Sequence, residues 1–446
     1  MRKFVIVLVA LGTSLVSYGQ DITSRIDTLL QAYIAQNKFN GTVLVSKGGT
    51  VLLDKGYGYR NVANHVMHDK NSVFQIGSVT KQFTTAIILR LQAEKKLNVQ
   101  DPISKYFPKY PKGDSITIEN LMLHTSGIYN YTNDGVFMKN EVTKPAGKEK
   151  LMPLFQDKPL DFSPGTGWNY SNSAYLLLGY IIESVTKKHY EQVVRDYIFT
   201  PLKMTHSGFD FAHLQSKEKS TGYFGQYEKD AVAAPIVDSS VSFAAGAIYS
   251  TTDDLLRWHE GLLKNVVLTS AQQEKAYTPV KNKYGYGWMI DSLYGRKVVM
   301  HGGGIHGFTS MFSRMPADDV CIVLLSNTSS PALNDITKGI YAILYNKPYT
   351  IPQVKKEITL PEEKLKQYLG EYTIKEGLNL IITLKDGELI GSPTNQPASV
   401  LYAEKEDHFF VKDHDIRLKF FRNEKQEVSG FILYQGGMEV KCPKIK

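Results

Sequence analysis

The sequence predicts an α+β fold: an antiparallel sheet flanked by helices, with an all-helical insert, followed by a small C-terminal all-β barrel. Two observations predict this arrangement. Strand-like segments occur near both ends of the first 346 residues and helical patterns fill the middle, so distant strands must pair with one another. Beyond a polar, proline-punctuated stretch at 347–361, short alternating segments recur at the spacing typical of a small all-β domain.

The first nineteen residues are typical of a secretory signal peptide. The basic pair Arg2 and Lys3 precedes an apolar run to about residue 16, and small residues stand at Ser17 and Gly19, where a signal peptidase reads the chain. The apolar run is shorter than the roughly 20 residues that span a bilayer. We therefore expect an exported protein, periplasmic or secreted after cleavage before Gln20, with no membrane span in the mature chain.

A first domain is predicted over residues 20–346. A helical pattern at 22–37 precedes two strand patterns that are separated by a glycine turn at Lys47-Gly48-Gly49. The two strands are predicted at 41–45 and 51–56, further strands at 298–301, 309–314 and 320–326, and further helices at 78–97, 174–185, 253–263 and 332–345.

A second domain is predicted over residues 362–446, after a linker at 347–361. Turn signals such as Lys385-Asp386-Gly387 separate six short alternating segments, as expected for a barrel or a sandwich. The six segments are 378–384, 388–392, 408–412, 416–422, 428–433 and 438–441. No catalytic constellation is evident in this domain.

Charge and composition argue against several classes of function. The formal net charge is +8, but Lys and Arg are mixed with Asp and Glu, and no stripe of one sign predicts a nucleic-acid interface. No group of His, Cys and carboxylate residues has metal-ligand spacing, so we expect neither a metal nor a cofactor. Cys321 and Cys442 belong to different predicted domains, which makes a disulfide between them the less favoured outcome.

Ser78 and Lys81 are the first candidate catalytic pair. Residues three apart on a helix project from nearly the same face, so a helix that begins near Ser78 brings the two side chains together. A serine hydroxyl becomes a good nucleophile when a neighbouring base takes its proton. Lys81 can be that base if burial or a nearby cation lowers its pKa from about 10.4. The alternative is that Ser78 merely caps the helix.

Tyr170 and Asn172 follow a Pro-Gly loop and precede another predicted helix. Held near a lysine, Tyr170 would ionise more easily and could act as general base and acid, while Asn172 could hydrogen-bond Lys81 and a substrate amide. The alternative is a buried tyrosine beside a helix-capping asparagine.

A glycine run, His301-Gly302-Gly303-Gly304, follows a predicted strand. Glycines at a strand edge let a ligand approach the backbone closely. The N–H of Gly304 could therefore form an oxyanion hole with the N–H of Ser78. The alternative is a glycine-rich turn that carries an exposed histidine.

Taken in order, Ser-x-x-Lys at 78, Tyr-x-Asn at 170 and His-Gly-Gly at 301 resemble the serine β-lactamase and penicillin-binding-protein superfamily, and look closest to its class C β-lactamase-like branch. Four flanking stretches match as well, at 121–127 (which contains His124), 162–166, 245–251 and 284–288. The resemblance covers about residues 22–345, and residues 362–446 look like the lipocalin-like C-terminal domain attached to some members.

The resemblance implies a serine hydrolase of the esterase or peptidase type, which cleaves an ester or amide through an acyl-enzyme on Ser78. It assigns proton transfer to Lys81 and Tyr170. Substrate binding is assigned to Asn172, His301, Gly303 and Gly304. His306 and Trp168 are weaker candidates for the cleft wall, and His124 belongs to a motif that looks structural.

His301 departs from the family pattern, because it stands where the Lys of Lys-Thr-Gly would supply a permanent cation. A histidine is largely neutral near pH 7, so recognition of a substrate carboxylate should be weak. We therefore favour esters or amino-terminal D-residue amides, with a small-molecule or peptide substrate as the partner. A DD-carboxypeptidase, a β-lactamase and a non-catalytic penicillin-binding or envelope-peptide sensor are the alternatives, and the oligomeric state stays open.

Overall fold

The computed structural model describes residues 21–224, 231–352, 357–412, 416–435 and 438–446. The chain divides into two compact units, Met1–Pro352 and Gln353–Lys446. The predicted signal peptide at 1–19 lies outside the described residues, as does part of the predicted linker. Within the described ranges, no helix combines the length and the apolar character that crossing a bilayer requires.

The described part of the first unit contains one six-stranded antiparallel sheet and three two-stranded pairs. The large sheet has the order β2-β1-β12-β11-β10-β9, and the small pairs are β3-β4, β5-β8 and β6-β7. The strands are β1 (Gly41–Lys47), β2 (Thr50–Tyr57), β3 (Tyr59–Asn61), β4 (Val66–Met67), β5 (Phe74–Gln75), β6 (Tyr223–Phe224), β7 (Val232–Ala233), β8 (Tyr249–Ser250), β9 (Met289–Leu293), β10 (Arg296–Ile305), β11 (Phe308–Met315) and β12 (Val320–Ser326).

Helices precede, separate and follow these strands along the chain. They are α1 (21–34), α2 (Thr80–Ala93), α3 (Ile118–Met122), α4 (Gly135–Asn140), α5 (Lys148–Leu151), α6 (Asn172–Thr186), α7 (Tyr190–Val194), α8 (Thr200–Leu202), α9 (Ser239–Gly246), α10 (Thr252–Leu263), α11 (Ser270–Ala276) and α12 (Leu333–Leu344). Short 3₁₀ turns lie at Gly77–Val79, Ile103–Lys105, Gly113–Ser115, Tyr131–Asn133, Met152–Leu154 and Pro316–Asp318, and a π-helical turn lies at Arg195–Phe199.

The central strands are buried on both faces, which explains the continuous apolar run of β12. Successive side chains of a strand point to opposite faces, and β12 divides accordingly. Ile322 and Leu324 pack in the cluster that contains residues of α1 and α12, whereas Val323 and Leu325 pack in the cluster that contains residues of α2 and α6. The sheet therefore separates two hydrophobic cores.

The predicted α+β class and its pairing of distant strands are confirmed, because β1 lies between β2 and β12. The helix predicted at 78–97 differs in its bounds. Ser78 lies in the 3₁₀ turn Gly77–Val79, and α2 begins at Thr80 and ends at Ala93. The early end is explained by Lys95, which takes the left-handed conformation (φ 58°) that glycine usually supplies after a helix.

The second unit is an eight-stranded antiparallel barrel that nearly closes. Its strands follow one another in sequence order, and Glu371 N–H donates to the carbonyl of Lys446 (3.0 Å) where the first strand meets the chain end. A short helix and a 3₁₀ turn precede the strands: α13 (Glu362–Leu365), the turn Lys366–Tyr368, β13 (Gly370–Lys375), β14 (Leu378–Lys385), β15 (Glu388–Pro393), β16 (Ser399–Lys405), β17 (His408–Val411), β18 (Ile416–Arg422), β19 (Val428–Gln435) and β20 (Met438–Pro443).

The prediction of six strands in this unit was incomplete, because β13 and β16 were not recognised. Both strands carry a register shift, between Thr373 and Lys375 in β13 and between Ala403 and Lys405 in β16. A bulge adds a residue to one strand and so breaks the two-residue alternation that identifies a strand in sequence.

Aromatic side chains fill the interior of the barrel. Tyr368, Tyr372, Phe409, Phe420 and Phe431 are buried, and their ring centroids lie 4.7 Å (Tyr368–Phe409) to 5.8 Å (Tyr372–Phe420) apart in edge-to-face or tilted contacts. Such contacts add to the apolar burial that stabilises a small domain. The interior is thus a packed aromatic core.

Cys321 in β12 and Cys442 in β20 are both free and fully buried. Burial raises the pKa of the Cys321 thiol to about 12 and that of Cys442 to about 11, and the thiolate is the reactive form. We expect neither thiol of the native protein to react with a disulfide reagent near pH 8. Both should react after unfolding in urea without reductant, whereas an intact disulfide would leave no reactive thiol.

Candidate active site

Ser78 lies in a tight turn that is held against the edge of β10. Ser310 Oγ donates to the carbonyl of Ile76 (2.8 Å) and Ile76 N–H donates to the carbonyl of Ile248 (2.9 Å), which fixes the chain just before the turn. Gly77 follows with φ 50°, and a Cβ there would lie 2.9 Å from the backbone nitrogen of Gly304. Only glycine meets both requirements without strain.

The side chains of Ser78, Lys81 and Tyr170 meet. Lys81 Nζ lies 3.1 Å from Ser78 Oγ, and Tyr170 Oη lies 2.8 Å from the same oxygen. Tyr170 reaches this position from the loop before α6, whose first turn is capped by Ser171 through Ala174 N–H (3.3 Å). The structure therefore brings together all three residues that the sequence predicts to be catalytic.

The amine of Lys81 is fully buried among uncharged oxygens. Besides Ser78 Oγ, its partners are Asn172 Oδ1 (2.8 Å) and the backbone carbonyl of Ala245 (2.8 Å). Burial lowers its pKa well below the usual value of 10.5. A neutral amine has two N–H donors and one lone pair; the two carbonyl oxygens accept the donors, which leaves the lone pair for the Ser78 hydroxyl proton.

Tyr170 is protonated in this arrangement. Burial raises the pKa of its phenol above the usual value of 10, more than its hydrogen bond with Ser78 lowers it. The expectation that a neighbouring lysine helps Tyr170 to ionise was wrong, because a neutral amine exerts no cationic pull. Tyr170 O–H donates to Ser78 Oγ, whose own proton is then free to point at Lys81.

Gly304 N–H is the second candidate oxyanion donor. Strand β9 pairs with β10 only as far as Met300, so the edge of β10 beyond it is open toward the Ser78 turn. Ile305 pairs with Phe308 across a two-residue turn, and N–H groups alternate between the two edges of a strand. Gly304 N–H therefore points to the open edge, where the backbone of Gly77 lies.

Gly303 lets β10 approach the Ser78 turn closely. A Cβ at Gly303 would lie 2.0 Å from the Ile76 carbonyl oxygen and 2.3 Å from Ser310 Oγ, whereas one at Gly302 would meet nothing closer than 3.7 Å. Gly303 therefore has a packing role at the site, and Gly304 supplies the backbone donor.

His301 is buried and both of its ring nitrogens have partners. Nδ1 lies 2.6 Å from the Gly302 carbonyl, which can only accept, so Nδ1 carries the proton. Nε2 then accepts from Tyr284 Oη at 2.9 Å. Burial lowers the pKa of His301 to about 3, so the ring is neutral. It packs behind Tyr170, with ring centroids 6.3 Å apart.

His124 is a positioning residue that the sequence analysis set aside as structural. Its ring lies 4.3 Å from the Tyr170 ring, centroid to centroid. Its carbonyl accepts from Asn169 N–H (3.1 Å) and its Nδ1 accepts from Ser171 N–H (3.1 Å), so it holds both sides of Tyr170. The family motif at 124–127 was the only sequence signal for it.

A cavity of about 390 Å³ opens beside Ser78. Ser78, Asn172 and Gly304 lie in its wall, and so does His306, as the sequence analysis suggested; Trp168 is not among the lining residues. Trp168 instead packs against His124 and Tyr284, with both ring-centroid distances 6.0 Å. Among the described residues, no three His, Cys, Asp or Glu side chains cluster as metal ligands would.

Two protein families match the chain. Residues 26–347 match the family described as Beta-lactamase, and residues 354–442 match a domain of unknown function, DUF3471. Penicillin-binding protein 4* of Bacillus subtilis strain 168 is 26% identical over 453 residues, which is 96% of this chain and 100% of that protein.

Solved structures share the fold. A penicillin-binding protein homologue from Pyrococcus abyssi, described as octameric, has a TM-score of 0.68 at 24% identity and covers 94% of this chain and 99% of its own. A D-stereospecific amidohydrolase from Streptomyces sp. has a TM-score of 0.63 at 25% identity and covers 73% of this chain and 99% of its own.

The adjacent glycines give a matched test of the β10 edge. We expect Gly303→Ala to lower kcat/KM by about 10²-fold or more, as loss of one oxyanion donor does, because its methyl group pushes β10 away from the Ser78 turn. Gly302→Ala should keep near-native activity, because its methyl group has room. Ester hydrolysis rates, normalised to the folded fraction, measure both, and equal losses in the two variants would contradict the assignment.

The buried amine makes stability depend on pH in a defined direction. Unfolding lets Lys81 take up a proton at any pH between its lowered folded pKa and 10.5, so the unfolded state binds one more proton there and stability rises with pH. Between about pH 8 and about pH 9.5, the unfolding free energy should rise by about 1.4 kcal/mol per pH unit more in the native protein than in Lys81→Met. Urea titrations measure both slopes, and Lys264→Met, at an exposed ion-paired lysine, is the control. Parallel slopes for the native protein and Lys81→Met would mean that the folded state keeps Lys81 charged.

Proposed function

The chain belongs to the beta-lactamase family of serine hydrolases, and from that premise we propose that it cleaves an ester or amide through an acyl-enzyme on Ser78. One observation carries the proposal: the Ser78 hydroxyl lies within hydrogen-bond distance of a desolvated amine and of a protonated phenol at once. A helix-capping serine needs neither partner.

Acylation follows from the hydrogen-bond directions. Ser78 Oγ attacks the carbonyl carbon while its proton passes to the lone pair of Lys81 Nζ. The N–H groups of Ser78 and Gly304 stabilise the negative charge that develops on the carbonyl oxygen. When the bond to the leaving group breaks, Tyr170 donates its proton to that group and regains one from the Lys81 ammonium. The serine proton thus ends on the leaving group.

Deacylation repeats these transfers with water as the nucleophile. Water gives a proton to the Lys81–Tyr170 pair, attacks the ester carbon, and the pair returns the proton to Ser78 as the acid leaves. General acid–base assistance of this kind contributes roughly 10²–10⁴-fold. Asn172 holds the amine throughout, since its Oδ1 accepts from Lys81 and its Nδ2 donates to Thr132 Oγ1 (3.2 Å).

The state of His301 supports an esterase or peptidase over a carboxylate-recognising enzyme. DD-carboxypeptidases and β-lactamases act on substrates that carry a carboxylate, for which the lysine of the family motif supplies a cation. Here the ring is neutral and both nitrogens are engaged by Gly302 and Tyr284. The likeness to a D-stereospecific amidohydrolase keeps D-amino-acid amides among the candidate substrates.

Export is part of the proposal, and the support for it is the sequence of residues 1–19. Their basic start, apolar run and terminal small residues are what a signal peptidase substrate needs. An enzyme of this kind would meet its substrates in the periplasm or outside the cell.

We expect Ser78→Ala to lose covalent labelling by a fluorophosphonate and to lose turnover of a p-nitrophenyl ester, because Ser78 carries the one hydroxyl that is hydrogen-bonded to Lys81 Nζ among the residues described. Intact-mass spectrometry measures the adduct. Ser329→Ala is the matched control: this serine lines the same cavity but has no part in the proton path, so labelling should persist. Labelling of Ser78→Ala at the native rate would rule out this nucleophile.

The rival function, a sensor that binds covalently without turning over, predicts a different time course. A sensor releases one equivalent of p-nitrophenol per protein and then stops, whereas the hydrolase continues at a steady rate. A burst with no steady phase would replace the hydrolase proposal by the sensor.

A further inference from the structure

The walls of the cavity beside Ser78 are apolar. Besides Ala245, six larger apolar side chains contribute to it, from α4, β6, the segment before α9, α9 itself, β10 and β11: Met138, Phe224, Val237, Val241, Ile305 and Phe308. Burial of CH₂ groups against such walls favours an acyl group with an apolar body. The volume of about 390 Å³ lies within the range of small-molecule sites.

The polar atoms of the walls are neutral. The Ser, Thr, Asn and His residues of the lining are Ser78, Thr132, Asn172, Ser242, His306, Thr309 and Ser329. Burial lowers the pKa of His306 below 6.5, so this ring is uncharged near pH 7. These groups can form hydrogen bonds with an uncharged polar atom, and none of them offers a counter-charge.

No described residue in the lining is a lysine, arginine, aspartate or glutamate. A carboxylate or an ammonium group that entered this cavity would lose its hydration without gaining a charged partner among the described lining residues, and burial of an unpaired charge is far more costly than burial of a hydrogen-bonded neutral group. The cavity should therefore discriminate between acyl groups of equal length by their charge.

We propose that the acyl group of the substrate is uncharged and predominantly apolar, with neither a free carboxylate nor a free ammonium group. This inference rests on the proposed acyl-enzyme function and specifies its substrate. An aliphatic acyl group or an amino acid whose amine is already acylated meets the requirement. An amino-terminal residue with a free amine does not, so this inference removes unacylated D-amino-acid amides from the candidate substrates named above.

Three p-nitrophenyl esters with acyl chains of equal length test the proposal. They are the pentanoate, the N-acetylglycinate, which has a neutral amide within the chain, and the hydrogen glutarate, which has a carboxylate in place of the terminal methyl group. Rates with Ser78→Ala protein are subtracted to remove spontaneous hydrolysis, which intramolecular attack speeds up in the last two. The two neutral esters should exceed the glutarate in kcat/KM by about tenfold or more. A glutarate rate equal to or above the pentanoate rate overturns the inference.

A cation placed in the wall should change this preference. Phe224 is 38% exposed in a two-residue strand, so Phe224→Lys is compatible with folding. It should raise the glutarate-to-pentanoate ratio of kcat/KM by about tenfold. Val232 pairs with Phe224 in the same hairpin, is exposed and is not among the lining residues, so Val232→Lys should leave the ratio unchanged. A ratio that stays constant in Phe224→Lys, or that shifts equally in both variants, contradicts the assignment of the acyl group to this cavity.

Failure of this inference is distinguishable from failure of the proposed function. If all three esters are hydrolysed in a Ser78-dependent manner and charge makes no difference, the acyl-enzyme function holds and the substrate class is wrong. If none is hydrolysed and Ser78 takes up no fluorophosphonate, both are wrong.

Discussion

The site depends on one constraint: the amine of Lys81 must be desolvated without being paired to a charge. Its partners are a hydroxyl, an amide oxygen and a backbone carbonyl, and each comes from a different element. A carboxylate in place of any of them would hold the amine protonated, since an opposite charge within about 4–6 Å favours the charged form. The helical region therefore encloses one primary amine among uncharged oxygen atoms that are hydrogen-bonded to it.

Helix α9 supplies part of that enclosure through its end rather than through its side chains. The last carbonyls of a helix have no intrahelical donor and must find one elsewhere. Here Thr84 Oγ1 donates to the carbonyl of Ala244 (2.6 Å) and Lys81 donates to that of Ala245, so two residues three apart on α2 satisfy two successive orphan carbonyls. Phe243 sits within α9 at φ 36°, a conformation that is costly for a non-glycine residue and that occurs mainly where surrounding structure enforces it. The catalytic amine is thus also a helix cap, which ties its position to the packing of α2 against α9.

How well the sequence predicts a feature depends on how far apart along the chain the residues that form it lie. The proximity of Ser78 and Lys81 is a property of helical spacing and could be predicted from four residues. The position of Tyr170 and Asn172 beside Ser78 and Lys81 could not be derived from periodicity. It was predicted because three ordered motifs resemble those of a known superfamily. The Ala245 carbonyl lies 164 residues from Lys81 and has no side-chain signature, so the family match of the stretch at 245–251 gave it no role. The same holds for Tyr284, whose role exists only because folding places it within hydrogen-bond distance of His301.

In the barrel, two strands could not be recognised for a local reason. Bulges in β13 and β16 break the alternation of apolar and polar residues that identifies a strand.

His301 shows how the neutral enclosure extends beyond the amine. A lysine at this position would bury a permanent cation at the site, and burial of an unpaired charge costs folding stability. The imidazole avoids this cost: with Nδ1–H bound to the Gly302 carbonyl and Nε2 accepting from Tyr284, it is held in its neutral form by geometry as well as by burial. Tyr284 in turn packs against His124, 4.8 Å between ring centroids, and His124 fixes both neighbours of Tyr170. The replacement of a cation by a histidine therefore does more than remove a carboxylate anchor. It allows the uncharged rings of His301, Tyr284 and His124 to pack in sequence from the strand edge to Tyr170. The phenol of Tyr170 therefore keeps its proton. The lone pair of Lys81 is then the strongest base that Ser78 can reach.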